Sequence, residues 1–394
     1  MAAVRRSWSL ADYSDYPRYS NQKCSTMNMW LLTILGTIIV ALSILETFMA
    51  VLHPRAVTGP VTSFLNRMFH KLLKTSIGQS SYVTLLSGPV LIVTQVICWA
   101  SLLLLAFSLI VWPQLGSGIV ASSGKPTDTT IWAAIYYAGF SVTTLGVGDL
   151  VPKTVAMQLL TVLAAGLGFS FFTLVLAYVI SIYSTLSRRN QFANEIDYRT
   201  AQTGDSLRYL VPYLSSDEMS LLNQDLYTLS ANMAERLESH HFYPSLHYFR
   251  FSEDRYSMSR MLRFCLEVAS LIKAMQETGG PAANAVTEPA DRLWHASLQM
   301  LRDTEKHFVV CKSQEPPEEV GTANRLISQM AQADTSQRVS NENAFVDRYA
   351  QLANTWSTDL HSLVLCMGSQ IDGRLDDQHP NRHRNHDAVF DDSH

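Results

Sequence analysis

Cysteine and net charge are both scarce in this 394-residue chain. Its five cysteines, Cys24, Cys98, Cys265, Cys311 and Cys366, form no CxxC pair and no spacing typical of metal ligands. The pattern predicts isolated thiols and argues against a disulfide framework. The formal net charge is only −4, and such near-neutrality gives no reason to expect nucleic-acid binding.

Several motifs with a defined chemistry are also missing from the sequence. No G-x-G-x-x-G stretch follows a predicted strand, and no acidic loop matches a Ca²⁺ site. No apolar segment carries arginine at every third position, as a voltage sensor would. Because no nucleophile–base pair appears either, the sequence predicts neither an enzyme nor an organic cofactor.

Long apolar runs are what the chain has instead. They cover residues 29–52, 88–112 and 155–184, and each reaches the roughly 20 residues that a helix needs to cross a bilayer. The first run follows a twin arginine but is too long for a cleaved signal peptide. Because backbone in lipid must satisfy its own hydrogen bonds, we expect three transmembrane helices.

A shorter apolar segment lies between the second and third runs. It reads "TIWAAIYYAGFSVTTLGVGDLVP", residues 130–152, and its apolar part is too short to cross a membrane. Irregular backbone at membrane depth is tolerated where it lines a cavity or is buried in protein. The segment therefore predicts a short re-entrant helix followed by a glycine-containing extended stretch.

The distribution of basic residues predicts the topology. Residues 53–87 carry Arg55, Arg67, Lys71 and Lys74 without any acid, and two arginines follow the third run. The positive-inside rule places this linker and the C-terminal region in the cytoplasm, with the N-terminus outside. Within the linker, "VTSFLNRMFHKLLKT" is typical of a basic amphipathic helix on the inner membrane surface, although a plain connector is the alternative.

The short segment contains a motif with a known relative. "SVTTLGVGD", Ser141 to Asp149, resembles the selectivity filter of potassium channels, whose pattern is T-x-x-T-x-G-Y/F/L-G-D. The order of outer helix, pore helix, filter and inner helix over residues 88–187 is similar too. The resemblance implies a homotetramer, since one filter strand cannot surround an ion.

The resemblance also implies the role of each filter residue. Carbonyl rings replace the water of a K⁺ ion, and the ion-binding residues here would be Thr144, Leu145, Gly146, Val147 and Gly148. Alternating carbonyl directions require positive φ, which glycine adopts without steric cost, so we expect it at Gly146 and Gly148. Leu145 and Val147 would then point into the protein behind the filter.

Other residues would support the filter. These are Ser141, Thr143, Tyr136, Tyr137 and Asp149, with Asp149 at the outer mouth. Ser141 replaces the usual threonine and keeps its hydroxyl. Val147 replaces the usual tyrosine, whose hydroxyl helps to fasten the filter in relatives, so Tyr136 and Tyr137 must pack or bond elsewhere. The valine leaves the degree of selectivity open.

The third run contains the predicted gate. Gly166 and Gly168 lie in its middle, where relatives use a glycine as a hinge; close packing against another helix is the alternative. Phe172, Leu176, Ile180 and Ser184 share one helical face and would line the pore.

The C-terminal half predicts helices at 257–277, 290–311, 321–333 and 341–367, and another that begins with a capping box at Ser215 and Glu218. "TGGPAANAVTEP" predicts a linker, and the histidine-rich tail a disordered segment. "HHFYPSLHYF", His240 to Phe249, is either a metal or pH-sensing site or a packed turn.

The sequence therefore predicts an all-α, multi-pass protein of a plasma or bacterial inner membrane. It has three transmembrane helices, a re-entrant pore helix with a filter, and a mostly helical cytoplasmic C-terminal domain. The predicted boundaries are an N-terminal segment 1–28, an extra helix 29–52, a linker 53–87, a pore domain 88–187, a helical domain 188–368 and a tail 369–394.

The favoured function is passive K⁺ transport by a homotetramer in contact with lipid, without nucleic acid and with an unidentified cytoplasmic ligand or partner. A poorly selective cation channel and a non-conducting sensor or scaffold are the alternatives.

Overall fold

A computed structural model gives the fold of the chain. It describes residues 26–51, 59–73, 81–216, 218–251, 253–279, 286–308, 320–332 and 341–367. Within these ranges the chain is almost entirely helical, with a single two-stranded sheet. The predicted all-α class is therefore confirmed.

The helices have the following bounds: α1 Thr26–Val51, α2 Pro60–Leu73, α3 Ser81–Val111, α4 Ile131–Val142, α5 Val155–Arg199, α6 Ser206–Ser216, α7 Met219–Phe242, α8 Met258–Glu277, α9 Thr287–Phe308, α10 Val320–Gln332, α11 Glu342–Ala353 and α12 Ser357–Met367. Short 3₁₀ segments occupy Trp112–Gln114, Pro244–Tyr248 and Asp254–Tyr256.

Three of these helices are long and apolar enough to cross a membrane. Their apolar spans are Met29–Val51 in α1, Leu86–Gln114 from α3 into the following turn, and Val155–Arg199 in α5. The three predicted spans are thus confirmed. However, α5 continues to Arg199 instead of ending near Ser184, because polar residues after the apolar run extend the same helix.

A small antiparallel sheet was not expected from the sequence. Strand β1, Ile119–Ala121, pairs with β2, Leu150–Pro152, so that Val120 lies opposite Val151. Each strand has only three residues, which is too short to show a period-2 pattern of its own.

The chain divides into two compact units. The first contains the described residues up to Thr47 together with residues 97–173. There α4 packs with parts of α3 and α5 around Leu103, Phe107, Ala138 and Ala164. Helix α1 approaches α3 closely at Gly36, where an added Cβ would lie 2.7 Å from the carbonyl oxygen of Ala106.

The second unit contains residues 48–96 and the chain from Leu174 onward. Its core surrounds α8, whose side chains are buried on nearly every face. One polar contact in this core joins the turn before α12 to α8, since the indole Nε1 of Trp356 donates to Ser270 Oγ at 3.0 Å.

Three predictions about the C-terminal helices are wrong. The capping box fails because Ser215 belongs to the end of α6, and Glu218 precedes α7 without a side-chain cap. The predicted helix 341–367 is two helices, α11 and α12, separated by a turn at residues 354–356. The predicted linker ends earlier than expected, because α9 begins at Thr287. The predicted disordered tail lies outside the described residues.

Candidate functional site

Helix α4 carries the predicted filter at its C-terminal end. Its first turn is capped by Thr130, whose side chain accepts from the Ala133 amide at 3.4 Å. Asp128 accepts in turn from the Thr130 amide at 2.9 Å. Tyr137 and Phe140 are among the residues buried along its packed face. With only 12 residues, α4 cannot span a bilayer.

The backbone leaves the helix through a tight turn around the Phe140 carbonyl. That oxygen accepts from the amides of Leu145 at 2.9 Å and Gly146 at 3.4 Å. Thr143 stays tied to the last turn of α4, since its hydroxyl donates to the Gly139 carbonyl at 2.8 Å. Residues 143–149 are called the filter segment below, after the predicted role. Hydrogen bonds to carbonyls of α4 fix its start.

Positive φ angles alternate along the filter segment. Thr144, Gly146 and Gly148 have φ values of 59°, 60° and 82°. The expected left-handed backbone at the two glycines is present. The left-handed Thr144 was not expected, because threonine rarely adopts this conformation.

The filter segment is open in the single chain. Residues 143–149 are all exposed, with Leu145 at 72% and Val147 at 50%. Neither apolar side chain packs against the described residues of its own chain, so the expectation that protein behind the filter covers them stays a prediction.

Tyr136 and Tyr137 of α4 have partners other than a filter tyrosine, since position 147 is a valine. The Tyr137 hydroxyl lies 2.7 Å from Thr161 Oγ1 on α5. Because the Thr161 hydroxyl donates to the Met157 carbonyl at 2.7 Å, Tyr137 is the donor of this pair. Tyr136 interacts instead with the Asp149 side chain.

The outer end of the segment is held by the small sheet. The Asp149 carbonyl accepts from the Ser122 amide at 2.8 Å, directly beside the β1–β2 pairing. Its carboxylate accepts from the Leu150 amide at 2.9 Å. The filter segment is therefore anchored at one end by α4 and at the other by this sheet.

Comparison with known proteins finds a family match for the region around α4. Residues 91–185 match the family model described as "Ion channel". This region is an ion-channel pore domain. The match confirms the predicted resemblance to channels with two helices around a pore loop, and it covers α4, the filter segment, most of α3 and α5 up to Thr185.

One curated relative extends the comparison beyond the pore domain. It is the "Uncharacterized membrane protein YdjJ" of Bacillus subtilis (strain 168), which is 22% identical over 225 residues. The aligned part is 57% of this chain and 64% of the relative, so the chain spans less than two thirds of that protein's length. No solved structure matches the chain.

The two glycines in the middle of α5, the inner helix of the pore domain, have different surroundings. A Cβ added to Gly168 would lie 1.9 Å from the carbonyl oxygen of Val142, the last residue of α4. A Cβ added to Gly166 would meet no atom within 4 Å. Close packing, which the sequence left as an alternative to a hinge, thus accounts for Gly168. No described residue packs against Gly166 in the same way.

The predicted pore-lining residues lie on one open stripe of α5. Phe172, Leu176 and Ile180 are 66%, 51% and 60% exposed, and Ser184 is exposed as well. Large apolar side chains exposed at every fourth position indicate that this side of α5 contacts lipid or another copy, or lines a pore.

Beyond the pore domain, α5 is clamped by the segment His240–Phe249. The buried Arg189 donates to the carbonyls of Leu246 at 3.4 Å and Phe249 at 3.1 Å. Arg236 of α7 donates to the Arg188 carbonyl at 2.9 Å. These contacts fix the helix just after the predicted pore-lining stripe.

Two histidines of this segment face each other next to the arginines. His240 Nδ1 lies 3.0 Å from His247 Nε2, and His240 is buried. Burial, together with positive charge on His247, Arg189 and Arg236, holds the pKa of His240 well below its ordinary value. The segment is thus a packed turn; among the residues placed by the structure, no group of three or more His, Cys, Asp or Glu side chains is arranged to hold a metal ion.

Proposed function

We propose that four copies of this chain form a passive K⁺ channel. A K⁺ ion passes by exchanging its water for rings of backbone carbonyls. The alternating positive φ at Thr144, Gly146 and Gly148 carries this proposal, because alternation aims successive carbonyls toward a common axis. The carbonyls of Thr144, Leu145, Gly146 and Val147 would supply the rings, and the Thr144 hydroxyl the innermost site.

The exposed surfaces of the single chain support a tetramer. One filter strand offers an ion only one side of its coordination shell. The exposed side chains of Leu145 and Val147 and the apolar stripe of α5 would be covered or enclosed when four copies meet around the axis. The expected mass of the purified protein is therefore that of four chains.

Gating would act through α5. This helix is uninterrupted from Val155 to Arg199, so movement of its clamped end after Arg188 would reach the pore-lining stripe. Because Gly168 packs against α4 and Gly166 has open surroundings, Gly166 is the better position for a bend. The proposed cytoplasmic region would bind the gating ligand or partner.

Flux from proteoliposomes tests the proposal. Purified wild-type protein should admit K⁺ and Rb⁺ and exclude Na⁺, whereas Gly146→Asp should abolish the flux by replacing a left-handed glycine and adding a charge to the ring. Equal, background-level leaks from wild type and variant would refute conduction and favour the non-conducting sensor or scaffold.

A poorly selective cation channel is the second candidate. The observation that favours it is the half-exposed Val147, whose side chain has no group that could hydrogen-bond to the pore helix. Reversal potentials in a K⁺/Na⁺ gradient separate the two. A value close to the K⁺ equilibrium potential supports selectivity, and a value midway between the two potentials supports the second candidate.

A further inference from the structure

Helix α2 has one face that is fixed to the protein. Leu65 and Thr62 are buried on this face. Asn66 Oδ1 accepts from Gln95 Nε2 of α3 at 3.0 Å. The Phe69 ring packs edge-on against Tyr248, with a centroid distance of 6.1 Å. These contacts set which side of α2 looks outward.

The outward face combines apolar and basic side chains. Phe64 and Met68 are 61% and 50% exposed, and Arg67 and Lys71 are exposed beside them. The four positions have the spacing i, i+3, i+4, i+7, which places them on one side of a helix. Helix α2 contains no acidic residue, and neither cation has a salt-bridge partner in the part of the chain that the structure describes.

The position of α2 between two membrane spans indicates that its outward face meets the membrane surface. Only eight residues separate the end of α1 at Val51 from the start of α2 at Pro60, and α3 begins at Ser81. Both neighbours are membrane spans. A short tether between two spans keeps α2 near the membrane surface, where apolar side chains enter the acyl boundary and cations meet acidic headgroups.

We propose that this outward face, Phe64, Arg67, Met68 and Lys71, binds anionic phospholipid of the leaflet at which α1 ends and α3 begins. The two apolar side chains supply affinity for the interface, and the two cations select acidic over zwitterionic headgroups. Each cation near such a surface strengthens binding about five-fold, so the pair accounts for roughly thirty-fold.

A hydrogen-bonded chain links this face to α5. The side chain of Gln95, which is 1% exposed, donates to Asn66 and accepts from the Tyr178 hydroxyl at 3.3 Å. Tyr178 lies on α5 between the predicted pore-lining positions Leu176 and Ile180 in the sequence, and its side chain is buried whereas theirs are exposed. Lipid bound at α2 is therefore connected to the helix that lines the proposed pore, and this step alone rests on the proposed channel function.

Native mass spectrometry of the full-length protein in neutral detergent tests the binding step without any need for conduction. Phosphatidylglycerol should bind in preference to phosphatidylcholine. Arg67→Gln/Lys71→Gln should weaken phosphatidylglycerol binding about thirty-fold, whereas Arg67→Lys/Lys71→Arg should retain it. The control Arg208→Gln/Arg302→Gln removes the same charge from exposed sites on α6 and α9 and should change nothing.

Equal binding of the two lipids by wild type, or full phosphatidylglycerol binding by Arg67→Gln/Lys71→Gln, overturns the proposal. A change in oligomer mass on removing the two cations, with lipid binding unchanged, would instead assign the face to contact between protein copies and also overturns it. Wild-type protein that shows charge-dependent lipid binding but no flux in any vesicle supports the lipid site and refutes the channel.

Flux in phosphatidylcholine vesicles with and without phosphatidylglycerol tests the link to α5. Wild type should respond to phosphatidylglycerol. Tyr178→Phe should bind the lipid as wild type does but lose most of the flux response. An undiminished response in Tyr178→Phe would overturn the proposed route through Gln95.

Discussion

The two mid-helix glycines of α5 allow a matched test of how the pore domain is packed. In Gly168→Ala the new Cβ would start 1.9 Å from the Val142 carbonyl oxygen, and the two atoms must separate by at least about 1.1 Å to reach the shortest contacts seen for real Cβ atoms. The obstacle is backbone, which cannot rotate away as a side chain does. Forced overpacking of this kind costs about 1–3 kcal/mol.

The same substitution at Gly166 provides the control. Alanine stabilises a helix interior by up to about 1 kcal/mol relative to glycine, and this gain is common to both variants. Gly166→Ala meets no atom within 4 Å. The difference in stability between Gly168→Ala and Gly166→Ala therefore isolates the clash, and we expect Gly168→Ala to be the less stable by about 1–3 kcal/mol.

Thermal unfolding of the two variants in the same detergent, together with proteoliposome flux, measures this effect. Gly168→Ala should unfold at a lower temperature and conduct less, since Val142 directly precedes the filter segment. Gly166→Ala should unfold no lower than wild type. Equal unfolding temperatures for the two variants would show that α4 and α5 are not in contact at Gly168 and would refute the packing argument.

Three further predictions concern other contacts. Because the pKa of folded His240 is depressed, the unfolded chain takes up the proton first as pH falls below about 6.5, and stability should drop by about 1.4 kcal/mol per pH unit until the folded histidine also titrates. His240→Gln should reduce the fall in stability below about pH 6.5, as measured by melting experiments. Replacing the exposed His295 by Gln should leave that fall unchanged. The same pH dependence in both variants would contradict the role given to His240. Tyr137→Phe removes the donor to Thr161 but leaves the Thr161–Met157 bond intact, so it should cost about 1 kcal/mol, and a double-mutant cycle with Thr161→Val that shows no coupling would disprove the bond. Gly36→Leu should dislodge α1 from α3, because its Cβ would already lie 2.7 Å from the Ala106 carbonyl, and should lower the melting temperature, whereas Ala41→Leu at an exposed position of α1 should not.

The membrane spans and the pore helix could be predicted because their signals are local. A run of apolar residues such as 155–184 must form a helix in lipid, whatever surrounds it. The motif at 141–149 can likewise be recognised from the order of its hydroxyl residues and glycines alone. Both predictions depend on residues that are neighbours in the sequence.

The missed features depend on partners far along the chain. Strands β1 and β2 are three residues each and pair across about thirty residues, so neither has a periodic pattern to detect. Tyr137 finds Thr161 only because α4 packs on α5. Similarly, the sequence could not decide whether Gly168 serves packing or bending, since the deciding atom belongs to Val142 of another helix.

Thr144 is the residue where local preference and structure disagree most. A β-branched residue in the left-handed region is strained, by an amount of order 1–3 kcal/mol, and glycine or asparagine would fit the same backbone more easily. The conformation is maintained because the next two amides donate to the Phe140 carbonyl, which determines the path of the chain through Thr144. Strain of this kind in a segment fixed at both ends, by α4 and by the β1–β2 sheet, is typical of functional positions. Glycine at this position would relieve the strain but would remove the whole side chain, both hydroxyl and methyl. A Thr144 hydroxyl at the innermost ion position, as proposed, would give a reason for a threonine at this strained place.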